Sequence, residues 1–253
     1  MDLCVYKLRI FSQGVAVENA EQVTVQVDLI KQNPLVDQNI GDSQIYWDSC
    51  MGDPTSSAGG SLTGTNFSPY YANVYNGVYL TEATSDTYGY LYWEKEYDYK
   101  KSLIFEGTFV AGGGSGEGDG ITIYFGATDP KTIGTSATDG IAVYFDEYNS
   151  DQVKVYKNGS LVDIPFYSTY VLDNYRWRNY TVIYEYVDSS NAFVNVYIEN
   201  IFVCRVNVGS WESDGDYGSY VGVSAWCGAA NNEHIVKSFR VKSGTPWLTM
   251  NRK

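Results

Sequence analysis

The chain has 253 residues, 44% of them hydrophobic, with 30 Asp and Glu against 17 Lys and Arg and a net charge of −13. That length and apolar content suffice for one large domain with a full core. The acidic balance argues against a nucleic-acid partner, which needs a basic stripe to displace counterions, and against an anionic membrane surface. No apolar run reaches the roughly 18 residues that a membrane-spanning helix needs, so no membrane span is expected.

The N-terminus, MDLCVYKLRIF, is interrupted by Asp2, Lys7 and Arg9, so no signal peptide is recognised. This leaves two locations open: cytoplasmic or virion assembly, or an extracellular surface after removal of a leader. Within residues 1–41, Cys4 to Phe11 and Gln22 to Ile30 are strand-like. In the second stretch Val23, Val25, Val27 and Leu29 fall on one face, and Asn33-Pro34 ends it. Residues 1–41 are therefore expected to be a β-rich arm or extra hairpin, completing the same sandwich or pairing with a neighbouring subunit's sheet edge.

Residues 50–65, CMGDPTSSAGGSLTGT, read as a loop of small residues. Short strands are then predicted at Val78–Leu80, Gly89–Trp93, Leu103–Val110, Ile121–Phe125, Ile141–Phe145, Val153–Lys157, Tyr180–Tyr186, Ala192–Ile198, Phe202–Val208, Val221–Ala225 and His234–Val241. Asn158-Gly159 is a strong hairpin turn, and Asp188 to Asn191 is another. The 24 tyrosines favour half-buried strands and the 25 glycines favour turns. Many short strands and no long helix predict an all-β, antiparallel two-sheet sandwich over residues 42–243, with a tail over 244–253.

Two near-matching signatures stand out: GDGITIYF, Gly118 to Phe125, and TDGIAVYFDEYNSD, Thr138 to Asp151. Each is an Asp-Gly turn running into an alternating strand. Asp119 thereby lies at a strand mouth, where a ligand can reach its carboxylate. Asp146, Asn149, Ser150 and Asp151 leave the far end of the second strand and could hold a cation or a hydroxyl-rich ligand.

Other chemistries find little support. The lone histidine, His234, reads as structural, and nothing pairs with it as a nucleophile. Glu94 and Glu96 alternate at a strand end but do not form the inward acid triplet of a glucanase. The GGGSGEGDG run, Gly112 to Gly120, lacks the Lys-Ser/Thr of a phosphate loop and leads into a strand. No enzyme is expected. Cys4, Cys50, Cys204 and Cys227 show no CxxC or zinc spacing and read as buried or half-buried thiols. Trp226 and Tyr148 lie near the ligand edge, whereas Trp93 and Trp177 are assigned to packing. Asn66, Asn158 and Asn179 begin N-x-S/T sequons.

Read from Asn76 onward, the segments NGVYLTEATSDTYGYLYWEK, LIFEGTFV, EGDGITIYF, DGIAVYFDEYNSD, VKVYKNGSL, YTVIYEY and YVGVSAWCGAANNEHIVKSFRV follow one another. Their order resembles the L-type (legume-like) lectin family of the concanavalin A-like jelly-roll superfamily, and within it the animal and fungal cargo-receptor branch. The resemblance implies a glycan or glycoprotein partner, bound on loops at one sandwich edge. It assigns Asp119 as sugar-binding acid, with a cis peptide before it, and Asn149 or Ser150 as the sugar-binding amide position. It assigns Gly228, Ala229 and Ala230 as the loop supplying backbone amides. It also implies a calcium loop of Asp146, Asp151 and the Tyr148 carbonyl.

The sequence departs from that pattern at several positions. Tyr144 stands where the plant lectins carry a metal-binding Glu. The GSLVDIPFYSTY segment offers Asp163 but no His, and Cys204 has no evident disulfide partner. The loop supplies about four protein oxygens where calcium takes about 6–8. A lectin-like carbohydrate-binding module is the leading expectation. The rival is a structural protein, such as a minor capsid or virion-surface component of a large DNA virus, joined to a protein lattice through residues 1–41.

Overall fold

In the computed structural model, the described residues are 45–73, 77–114, 118–131, 139–148, 151–167, 172, 174–209 and 218–243. They belong to the second of two units, Gln38–Lys253. The arm expected over 1–41, the tail 244–253, and Asn149 and Ser150 lie outside the described residues.

The strands, in chain order, are β1 (Ile45–Asp48), β2 (Ser61–Thr65), β3 (Tyr70–Ala72), β4 (Gly77–Thr81), β5 (Thr87–Glu94), β6 (Leu103–Gly112), β7 (Gly120–Ala127), β8 (Ile141–Asp146), β9 (Gln152–Lys157), β10 (Ser160–Tyr167), β11 (Arg178–Asp188), β12 (Asn191–Ile198), β13 (Ile201–Asn207), β14 (Tyr220–Cys227) and β15 (Glu233–Ser243). They form two antiparallel sheets. One runs β13-β12-β11-β6-β15-β4-β3, with β1 also pairing β15; the other runs β10-β9-β8-β7-β14-β5-β2. The result is the expected two-sheet jelly-roll sandwich. Every strand predicted between residues 78 and 241 is present; some, such as β12, carry the period-2 alternation of a half-buried strand, and β4, β7 and β8 are apolar runs buried on both faces.

The core is aromatic. Trp93 of one sheet stacks on Phe239 of the other at 5.0 Å, and Phe125 on Phe105 at 4.4 Å. Phe145 meets Phe109 at 5.5 Å. Leu91, Ile123, Val143 and Val223 fill the space between, all without exposed surface. The opposite face of the second sheet is also covered, by a separate cluster of Tyr124, Tyr144 and Tyr156 with Tyr92 and Tyr220. There the Tyr124 hydroxyl donates to the Pro130 carbonyl at 2.7 Å.

Four strands, β1, β2, β3 and β10, were not predicted, and two of them show why. The loop expected over 50–65 contains a single helical turn, α1 (Pro54–Ser57), capped by Asp53, and the strand β2, whose Ser61 pairs with Tyr92. Its small residues carry no alternating apolar signal, so only pairing with β5 makes it a strand. The segment 160–167 is also a strand. Asn158 and Gly159, both at positive φ, turn β9 back into β10 as their sequence suggests. Register shifts near Asp163 and the presence of Pro165 hide its periodicity, and an edge strand tolerates both.

Trp93 is buried as expected, and Trp177 packs against Tyr79, Val110 and Ile235. Cys204 and Cys227 are buried free thiols, but Cys50 is exposed, against expectation.

The two sheets come into close backbone contact at Gly89, where a Cβ would lie 1.7 Å from the Leu80 carbonyl oxygen. No side chain fits between those backbones. Gly89→Ala should therefore destabilise by at least the roughly 1–3 kcal/mol of ordinary overpacking. Urea unfolding followed by circular dichroism measures it; a midpoint equal to wild type would contradict the close approach.

Candidate functional site

The sheet registers gather four loops at one end of the sandwich. Thr81 of β4 faces His234 of β15, and Gly112 of β6 faces Glu233. In the other sheet Gly120 pairs with both Asp146 and Trp226, and Thr87 with Cys227. Residues 82–86, 113–114, 118–119, 147–148 and 228–232 therefore emerge side by side.

Asp119 lies at this end, half-buried. Its main-chain carbonyl accepts hydrogen bonds from the Glu147 amide at 3.1 Å and from the Tyr144 hydroxyl. Its carboxylate Oδ2 accepts from the Gly228 amide. A Cβ on Gly228 would come within 2.7 Å of that oxygen and 3.3 Å of the Trp226 ring, so glycine is what allows the contact. Trp226 stacks on Tyr88 at 5.8 Å and 7° and walls the site, its Nε1 lacking a partner. Burial, with the Asp146 and Glu147 carboxylates nearby, raises the Asp119 pKa against the opposing pull of the Gly228 amide and His234.

Below Asp119 lies a buried polar knot. Glu147, Asn232, Thr81, Cys227 and His234 are almost wholly inaccessible. The Glu147 Oε2 atom meets His234 Nε2 at 3.2 Å and accepts from Asn232 Nδ2 at 2.9 Å. On its other side His234 Nδ1 lies 2.7 Å from the Thr81 hydroxyl. Asn232 Oδ1 accepts from the Gly114 amide at 3.3 Å, and its carbonyl accepts from the Thr81 hydroxyl at 3.1 Å. One side chain thus ties loops 113–119, 147–151 and 228–232 together. Burial alone would lower the His234 pKa; the Glu147 carboxylate and the Cys227 contact reverse this and raise it to about 10. The Cys227 pKa, which burial pushes up, falls below the ordinary thiol value through the same imidazole.

Cys227, His234 and Glu147 follow the order nucleophile, base and orienting acid, with Sγ 3.7 Å from Nδ1. A nucleophile has to meet its substrate, however, and all three are sealed in the core. Their role is to position loops.

The sequence-predicted residues divide into three groups. Asp119 and Gly228 are brought together. Ala229 is exposed, its carbonyl accepting from the Ser85 hydroxyl at 3.2 Å, and Ala230 is half-buried beside it. The Gly118–Asp119 peptide is trans, a correction to the expected cis bond, as no cis peptide is present among the described residues.

The described residues of the expected metal loop already have protein partners. Asp146 is buried, its Oδ2 pairs with the Lys154 ammonium, and its Oδ1 accepts from the Tyr148 amide at 3.1 Å. Asp151 Oδ1 accepts from the Leu172 amide at 3.0 Å. Tyr148 is 56% exposed. Donors thus face oxygens that an ion would need, and no cluster of three acidic, His or Cys groups able to hold an ion occurs among the described residues.

Glu147, Asn232, Thr81 and Lys154 were missed by sequence reasoning. The Asn-Asn-Glu-His run before β15 was the one available signal.

The knot makes two measurable claims. His234→Leu leaves the Glu147 carboxylate buried and unpaired and should cost roughly 3–5 kcal/mol. Because the folded-state pKa of His234 lies above its unfolded value of about 6.5, the pair's contribution is complete below that pH and is lost as pH climbs towards about 10. Thermal midpoints of the wild type should fall over that window, and His234→Leu should flatten the fall. An unchanged slope would refute the pairing.

No protein-family profile and no curated sequence matches the chain. Solved structures do. The Emp46p carbohydrate recognition domain in metal-free form is similar over 75% of this chain and 91% of its own, with 15% identity and a TM-score of 0.55. The VIP36 exoplasmic/lumenal domain, metal-free, is similar over 80% and 92%, with 17% identity and a TM-score of 0.58. Lectin I-B4 from Griffonia simplicifolia, also metal-free, gives 73% and 93%, 13% and 0.55. The fold of this chain is therefore that of the L-type lectin carbohydrate-recognition domains, the concanavalin A-like sandwich.

Proposed function

We propose that the protein is a non-catalytic carbohydrate-recognition module that takes a neutral, hydroxyl-rich glycan at the loop end carrying Asp119. The observation that carries this reading is the Asp119 carboxylate held by the Gly228 amide at the rim of the sandwich, with the Trp226 ring beside it. An ionised carboxylate accepts hydrogen bonds from sugar hydroxyls, the main-chain amides of Ala229 and Ala230 are of the kind that donate to sugar oxygens, and an indole offers a face to the C–H groups of a pyranose. Among similar solved structures, the VIP36 domain is known in Ca2+/Man-bound and Ca2+/Man3GlcNAc-bound forms, which supports a glycan as the ligand class. Calcium is bound in those forms. Here the Asp146–Lys154 pairing argues that this chain presents its loops differently.

A glycan array probed with the full chain, in EDTA and again in calcium, tests the reading; absence of binding to any glycan in both would sink it. On a glycan that binds, Asp119→Ala should cost about 1.5–3 kcal/mol, a loss of tenfold or more in affinity. Trp226→Ala should cost about 0.5–1.5 kcal/mol. Because the Asp119 pKa is raised, binding should weaken on acidification while ordinary surface carboxylates are still ionised. Affinity unchanged in Asp119→Ala, with the fold intact, would remove Asp119 from the site.

A further inference from the structure

We propose that Lys154 is the resident cation of the ligand end: its ammonium takes the place beside Asp146 that a divalent metal would hold, so the end of β8 at Asp146 is neutralised without metal. The inference rests on the reading above only in calling this the ligand end; its chemistry concerns the Asp146–Lys154 pair alone.

The geometry supports it in three ways. Asp146 closes β8 with 2% exposure, and a carboxylate so buried requires a compensating charge. Lys154 supplies that charge from the neighbouring strand. It pairs with Tyr144, two residues before Asp146, so its stem runs along the same sheet face towards the carboxylate. The ammonium lies 5.9 Å from the centre of the Tyr144 ring, over its face, and the side chain is 11% exposed. The lysine is thus held in place by an aromatic ring and a carboxylate in surroundings that exclude most water.

Two further carboxylate oxygens nearby already accept main-chain amides. Asp146 Oδ1 accepts from the Tyr148 amide and Asp151 Oδ1 from the Leu172 amide. A calcium ion entering here would meet the ammonium's charge at contact range and would have to displace these amide donors. Lysine can do the ion's structural work because it offers three donors and no acceptor to the one carboxylate that needs neutralising.

The test uses the full chain, thermal melting, and Tb3+ as a luminescent calcium probe that nearby Tyr and Trp side chains sensitise. The wild-type midpoint is expected to be the same in EDTA and in millimolar calcium, with no sensitised Tb3+ emission. Lys154→Met should lower the midpoint by roughly 5–10 °C, and adding Asp146→Asn should restore most of it by removing the stranded charge. If Lys154→Met fails to fold, recovery of a folded double variant still supports the pairing. A wild-type midpoint that rises in calcium, sensitised emission from the wild type, or a double variant no more stable than Lys154→Met would each overturn the proposal. None of these readouts involves a glycan, so a failed array leaves this result standing.

Discussion

A carboxylate without access to water, Glu147, lies directly beneath Asp119, and the need to keep it paired organises the residues above. His234 and Asn232 both converge on its Oε2 atom, and Asn232 then reaches the 113–119 loop through Gly114. The Glu147 amide is the donor that holds the Asp119 main chain. Side-chain pairing and main-chain register therefore act on the same residue. Neither strand pairing nor hydrophobic burial alone would place Asp119 beside Gly228, because both residues lie just outside the strands that those forces define.

This arrangement divides the labour between the two faces of the second sheet. Its inner face buries aliphatic and aromatic residues and sets the distance to the other sheet. Its outer face carries tyrosines, which pack like hydrophobes along their rings and keep polar tips for directed bonds. Tyr144 shows both uses, with its hydroxyl on the Asp119 carbonyl and its ring beneath the Lys154 ammonium. The ligand end is thus supported from below by ionic pairing and from the side by aromatic packing.

Much of the fold was legible because strand alternation is local. The residues of β6, β11 and β12 declare their inner face within a few positions, and Asn158-Gly159 declares its turn. β2 and β10 were illegible for the opposite reason: small residues in one, and bulges and Pro165 in the other, erase the period. The site was legible in part. Asp119 announced itself by its Asp-Gly context, and Gly228 entered through a family resemblance. The buried knot did not, since Glu147 and Asn232 are separated by 85 positions and paired polar residues leave no periodic trace. Lys154 looked like one more polar residue of an alternating strand, and only the folded register aims it at Asp146. The departure at Tyr144 was visible in the sequence, but its meaning as a support for an ammonium was not.

The order of strands has a consequence for how the chain comes to be made. β15, the C-terminal strand of the sandwich, lies inside its sheet, between β6 on one side and β4 and β1 on the other. β14, just before it, lies inside the other sheet between β7 and β5. Until both have been synthesised, neither sheet can close, and β4, β5, β6 and β7 each wait with an unpaired edge. At typical elongation rates of about 5–20 residues per second, β5 waits on the order of ten seconds for its partner. Native structure is thus withheld from the growing chain until β14 and β15 are made, and a ribosome stalled before β14 leaves two incomplete half-sheets with exposed edges. Protection of nascent edges by a chaperone, or rapid completion of the chain, is accordingly part of what this topology demands of the cell.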